Sequence, residues 1–262
     1  MSSDSGETTS APKVGTSSLV AAARVAAVRP LTSVYVEDLH LLPCEIDDFI
    51  ESVIIWTEHT YGPDEIIAAR EEFFWKNGKV FEDDGFYNER MTLFLDYFIF
   101  VRPVSFLQKD GAIKTPFQAY CETPQPGEQH ERMRGTVTGA RYSLFEIGKT
   151  SEKSMIVFDL LNDKRHEIAS RANQAFKILS RKDIFQGFLY QTPNQDAISL
   201  GTFFHDKETW SIMKKTLKRL KKAKALDESR FLAALAKIHL KSLRLKHVSP
   251  KRIYEELTEE LK

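Results

Sequence analysis

Residues 86–101, FYNERMTLFLDYFIFV, are apolar almost all the way round a helix, and no other segment constrains the fold as much. A helix with one apolar stripe can lie on a surface, but one that is apolar on every side needs neighbours on most sides. Asn88, Glu89, Arg90 and Asp96 interrupt the segment, and it falls short of the ~20 apolar residues that span a membrane. The expectation is a central helix, closed by Arg102-Pro103, with Leu95 and Phe98 in the core. A carboxylate at Asp96 is then costly unless hydrogen-bonded or paired. Arg70, Arg90 and Arg102 are its candidate partners, in a structural pair rather than a catalytic one.

The flanking sequence supplies the neighbours. Ile46, Phe49, Ile50, Val53 and Ile54 recur at three and four residues, the spacing of a helix. Gly62-Pro63-Asp64 marks a stop and a restart, and Ile66, Ile67, Phe73 and Phe74 form the next stripe, ending near Gly78. Thr115-Pro116 reads as an N-cap followed by a proline in the first helical position. Pro124 and Pro126-Gly127 mark a boundary, after which a helix is expected over 130–141. Five short apolar and aromatic segments follow, at 143–147, 154–159, 165–169, 184–190 and 198–204. Three helices are expected at the end, over 206–224, 227–246 and 251–261.

The fold class is therefore α+β: a mainly helical N-terminal half, then a small antiparallel sheet or half-open barrel, then C-terminal helices. In domain terms, 1–33 is expected to be a disordered tail, since it is rich in Ser, Thr, Ala and Gly and poor in aromatics. Residues 34–122 form an acidic helical domain. Residues 123–262 form an α+β domain with its sheet at 143–204 and basic helices at 206–261. The acidic N-terminus and Arg24 within the run 18–28 argue against a signal peptide. Cys44 and Cys121 stand far apart with no CxxC, the usage of a reducing cytoplasm.

Charge is polarised along the chain. Residues 37–90 hold fifteen Asp or Glu against four Lys or Arg, and residues 207–252 hold fifteen Lys or Arg against three acids. On a helix at about 100° per residue, Trp210, Met213, Leu217 and Leu220 share one stripe. Lys214, Lys215, Lys218, Arg219 and Lys222 cover the remaining arc. The next helix repeats the design: Phe231, Leu232, Leu235, Ile238 and His239 face one way, and Arg230, Lys237, Lys241 and Arg244 the other. Lys246, Lys251 and Arg252 extend the basic run. Such faces bind phosphate backbones; they can equally be solvated faces that balance the acidic half. The candidate anion or nucleic-acid contacts are Lys214, Lys215, Lys218, Arg219, Lys222, Lys237, Lys241, Arg244 and Lys246.

Other chemistry lacks a motif. Glu82-Asp83-Asp84 lacks calcium-loop spacing and reads as an acidic loop complementing the dipole of the helix that follows. The seven histidines show no HExxH or paired spacing. There is no G-x-S-x-G, no phosphate-binding loop and no dinucleotide fingerprint. The R-x-x-x-R and D-x-S-x-x-G elements of PilZ-type cyclic-dinucleotide receptors are missing, Arg165 and Arg171 being six apart.

The run AAREEFFWKNGKVFEDDGFYNERMTLFLDYFIFVRP, then SLFEI and RLKHVSPKRIYEEL, resembles a family of uncharacterised bacterial cytosolic proteins. The resemblance covers about residues 35–261. It implies a helical N-terminal half and a β-containing C-terminal half, and supplies no activity, cofactor or catalytic residue. The functional expectation is a non-enzymatic cytoplasmic interaction or regulatory protein, with a protein partner or a second copy, no cofactor and no integral membrane association. Nucleic-acid binding by the basic helices is the alternative, and an enzyme without a recognisable motif comes third.

Overall fold

The aromatic helix lies at the centre of a computed structural model that describes residues 44–104, 113–123, 135–151, 154–169, 179–193 and 195–261. The tail expected over 1–33 lies outside the described residues. The N-terminal helices are α1 (Cys44–Tyr61), α2 (Pro63–Asn77), α3 (Tyr87–Phe100) and α4 (Pro116–Glu122). Gly62, at φ +82°, donates its N–H to Glu58 O and turns the chain into Pro63, which starts α2. Thr115 and Gln118 cap α4 reciprocally, Thr115 Oγ1 accepting from Gln118 N and Gln118 Oε1 from Thr115 N.

The strands are β1 (Gly139–Thr150), β2 (Ser154–Asp159), β3 (Lys164–Ala169), β4 (Ile184–Gln191), β5 (Ala197–Ile198) and β6 (Phe203–His205). They form one antiparallel sheet in the order β3-β2-β1-β4-β5, with β6 also paired to β4. The sheet curls into a half-barrel. Its edges meet where Ile168 of β3 bridges Asp196, just before β5, and His166 Nδ1 lies 2.8 Å from Asp196 Oδ2. Phe145, Ile147, Met155, Val157, Ile168, Phe185, Leu189 and Ile198 fill the inside of the curl.

Helices cover the outside. α3 lies over the end of β4, its Phe100 ring 5.7 Å from Tyr190 and 6.4 Å from Phe188. Gly201 permits this approach, because a Cβ there would sit 2.6 Å from Leu93 N of α3. The second cover is made by α5 (Trp210–Lys222), α6 (Glu228–Arg244), α7 (Pro250–Tyr254) and α8 (Leu257–Glu260), whose apolar sides enclose Leu144 and Ile184.

The fold class is as expected. One element is corrected: no helix occupies 135–141, because β1 begins at Gly139 and its first residues pair with the far end of β4, Ala140 opposite Tyr190. Residues 198–204 divide into β5 and β6, and 251–261 into α7 and α8. Phe98 is fully buried, whereas Leu95 is half-buried at the edge of the core.

Phe98→Ala should cost about 3–5 kcal/mol, a transfer loss plus a cavity, and so lower the urea midpoint markedly with the slope unchanged. An unaltered midpoint would contradict the central placement of α3.

Candidate functional site

Helix α5, WSIMKKTLKRLKK, contains no acidic residue. It forms because Met213 and Leu217 are buried, Trp210 and Leu220 pack beside them, and Arg219, Lys221 and Lys222 complement the dipole in the last turn. Asp206 opens the preceding turn by accepting from Glu208 N at 3.0 Å. Helix α6 starts on Asp227, which accepts from Arg230 N at 3.0 Å. Both helices present the apolar and basic sides that the spacing predicts.

The nine candidate cations divide into two groups. Those of α6 are answered by carboxylates: Lys237 by Glu260 at 2.7 Å, Lys241 by Glu256 at 2.5 Å, and Arg244 by Asp84 at 2.6 Å. Arg244 also donates to Lys79 O and lies 5.4 Å from the centre of the Phe81 ring. Burial opposes ionisation of Asp84, yet Arg244 and the N–H of Phe81 hold it below the usual carboxylate range. The acidic loop thus serves as an anchor for α6 as well as preceding α3. On α5, Lys214 pairs with Glu146 and Arg219 donates to Thr258 Oγ1.

Lys215, Lys218 and Lys222 are exposed and have no carboxylate partner among the described residues, and the same holds for Lys246. With Ser211 they form a row at spacings of four, three and four, on one side of α5. This row is the part of the predicted basic surface that remains open. It can attract anionic groups by charge.

Two buried polar clusters are present, and of their members the sequence singled out Asp96 as a buried carboxyl without identifying its partners. In the first, Asp96, 1% exposed, accepts from Tyr190 Oη and Ser199 Oγ, and Ser199 Oγ in turn accepts from Gly201 N at 2.9 Å. The expected arginine partner is therefore wrong. Arg102 instead reaches Glu65 at 2.5 Å and Glu72 at 3.0 Å on α2. Burial pushes Asp96 up to about 7, its two hydroxyl donors oppose that, and the charge of Asp47 adds to it.

In the second cluster, Arg90, 2% exposed, donates to Ala236 O at 2.9 Å and lies 3.0 Å from His239 Nδ1. Its guanidinium sits 4.1 Å from the centre of the Phe203 ring. For His239 Nδ1 to accept from Arg90, the imidazole must be neutral with its proton on Nε2, which faces Phe204 O at 3.1 Å. Burial and the charge of Arg90 hold His239 well below its usual range and bring His205 down to about 3. His205 Nδ1 shares a hydrogen bond with Tyr254 Oη at 2.6 Å. The members of both clusters are buried, where helices pack against the sheet. Nothing in the sequence spacing marks them, since Asp96 and Ser199 lie 103 residues apart and Arg90 and His239 lie 149 apart.

Among the described residues, no group of three or more His, Cys, Asp or Glu is placed to hold a metal ion, and no helix is long and apolar enough to cross a membrane. No family model, no curated protein and no solved structure matches the chain. Residue roles therefore rest on the geometry.

A carboxyl whose folded value is raised binds more protons folded than unfolded between about pH 4 and pH 7, so its contribution falls as pH rises through that window. The buried histidines act oppositely, costing stability as pH falls below about 6.5. Asp96→Asn removes the first effect and keeps the second. Wild-type stability relative to the variant should thus decline from about pH 5 to about pH 7, by up to about 1.4 kcal/mol per unit, in paired urea titrations. Parallel pH profiles would show that Asp96 does not titrate in that window.

Proposed function

We propose that this chain is a non-enzymatic interaction protein that docks an acidic partner surface on the outward row of α5. The observation that carries the reading is the openness of Lys215, Lys218 and Lys222 beside the closure of Lys237, Lys241 and Arg244. Exposed cations that do not stabilise their own fold are available to another molecule. A bacterial cytosolic setting is part of the proposal, supported by the sequence resemblance and by the two well-separated cysteines.

Nucleic acid is the second reading, and one observation favours it. The row contains no acid, so a phosphate backbone would meet no repulsion along it. It predicts a mobility shift of duplex DNA or RNA at about 50 mM salt, weakening with a slope of about −0.9 per phosphate contact.

One measurement tests the openness of the row and a second separates the readings. Lys218→Glu should leave the unfolding midpoint unchanged, whereas Lys241→Glu, which loses Glu256, should lower stability by about 0–1 kcal/mol. A photo-crosslinking side chain at position 218, in the native cell, should give an adduct that protease removes and nuclease does not. A nuclease-sensitive adduct, with a salt-sensitive shift lost in Lys218→Glu, would overturn the first reading in favour of the second.

A further inference from the structure

Helix α2 carries an outward row of its own. Asp64, Ala68, Glu71 and Trp75 are all exposed, at spacings of four, three and four. Trp75 is 85% exposed, the most open of the large apolar side chains among the described residues. Asp64 and Glu71 have no ion-pair partner among the described residues. A single exposed apolar residue is ordinary, but tryptophan offers a large apolar surface and is enriched at interface centres. Here it ends a row of unpaired acids.

The row on α5, Ser211, Lys215, Lys218 and Lys222, has the same spacing and the opposite charge. Each row extends about 16 Å along its helix. Laid face to face, they match in either direction. Antiparallel, Glu71 meets Lys215, Asp64 meets Lys222, and the tryptophan ring covers Ser211. Parallel, Glu71 meets Lys218, and Lys222 lies over the tryptophan ring as a cation–π pair. Neither direction sets like charges opposite each other.

Within one chain the rows are not brought together. Among the described residues, Arg244–Asp84 is the ion pair that joins 44–104 to the C-terminal helices, and it uses neither row. We propose that the two rows dock between copies of this chain, α2 of one copy against α5 of the next, with Trp75 as the apolar anchor. The proposal rests on the reading of α5 as a docking surface and names its partner as a second copy. Because different patches meet, the contact is heterologous and propagates beyond a dimer unless its rotation closes a ring. Its ion pairs are exposed, so it weakens as salt screens them.

Sedimentation velocity of the full chain tests the proposal. At about 50 mM salt the protein should associate as concentration rises, and at about 500 mM salt the association should weaken at least about tenfold. The double reversal Asp64→Lys with Glu71→Lys should be monomeric alone. So should Lys215→Glu with Lys218→Glu. An equimolar mixture of the two should associate again, because each retains the row that the other has lost. Trp75→Ala should weaken association at every salt concentration. Unchanged thermal midpoints confirm that the variants fold, and alanine replacements at the same positions carry the test if a reversal does not. A wild-type chain that stays monomeric at low salt overturns the proposal. So does association that survives either reversal, or a mixture that stays monomeric. A monomer that crosslinks through position 218 to another acidic protein would sink the self-docking and leave the docking role of α5 standing. A monomer that shifts DNA would sink both.

Discussion

Strand β4 has no solvent face, and the rest of the structure follows from covering it. All residues from Ile184 to Tyr190 are buried. Phe185 and Leu189 point into the half-barrel, and the alternation of a strand sends Ile184, Gln186, Phe188 and Tyr190 the other way. That outer side needs two covers because it carries two chemistries. Phe188 and Tyr190 belong to the core formed with the N-terminal helices, and Ile184 to the core formed with α5 and α6. Gln186 sits between them and donates to Leu232 O of α6 at 2.9 Å. Two helical layers of unlike composition are thus held on one strand, and Gln186 and Arg90 lie between them, each donating to a carbonyl of α6.

The geometry of α3 explains why its two buried charges do not neutralise each other. Arg90 and Asp96 are six residues apart, which at about 100° and 1.5 Å per residue places them about 120° apart in azimuth and about 9 Å apart along the axis. One therefore looks toward β4 and the turn before β6, the other toward α6. Each takes its own partners, and Nη1 of Arg90 stays buried without one among the described residues. The carboxyl takes two hydroxyl donors, and the guanidinium takes a carbonyl, a neutral imidazole and an aromatic face. A direct pair would have tied α3 only to itself. Separate partners tie it to the sheet on one side and to α6 on the other, at the cost of two desolvated groups. Replacing either partner would leave a buried polar group unmet, which costs more than the bond contributes while intact.

Local periodicity made most of the architecture legible. The buried stripes of α5 and α6, the Gly62-Pro63 restart and the Thr115-Pro116 cap all depend on neighbours within a few residues, and each appears where the spacing places it. The start of β1 was not legible for the opposite reason. Gly139 and Ala140 have little strand preference of their own, and they are extended because Gln191 and Tyr190 pair with them from fifty residues away. Asp96 was readable as a buried carboxyl but not by its partners, since hydroxyls on β4 and after β5 have no sequence relation to α3. The open row on α5 was half legible. Helical geometry identified its side of the helix, but whether Lys214 or Lys215 would find a carboxylate depended on where Glu146 came to lie.

Charge polarity along a sequence and charge polarity on a surface differ, and the difference has a simple origin. Loop closure favours partners that are near in the chain. The basic side of α6 is answered by Glu256 and Glu260, fifteen and twenty-three residues downstream, once α7 and α8 fold back on it. On the acidic side, Glu65 and Glu72 are answered by Arg102 and Lys76 of the same helical segment. These pairs reduce the contrast between the two halves before the halves meet. Part of that contrast remains on the outward rows of α2 and α5, which have no ion-pair partner among the described residues. Because exposed pairs contribute little individually, leaving those rows unpaired costs the fold almost nothing. Folding stability therefore neither requires nor opposes the open lysines of α5, and the row persists as an exposed basic side of the helix.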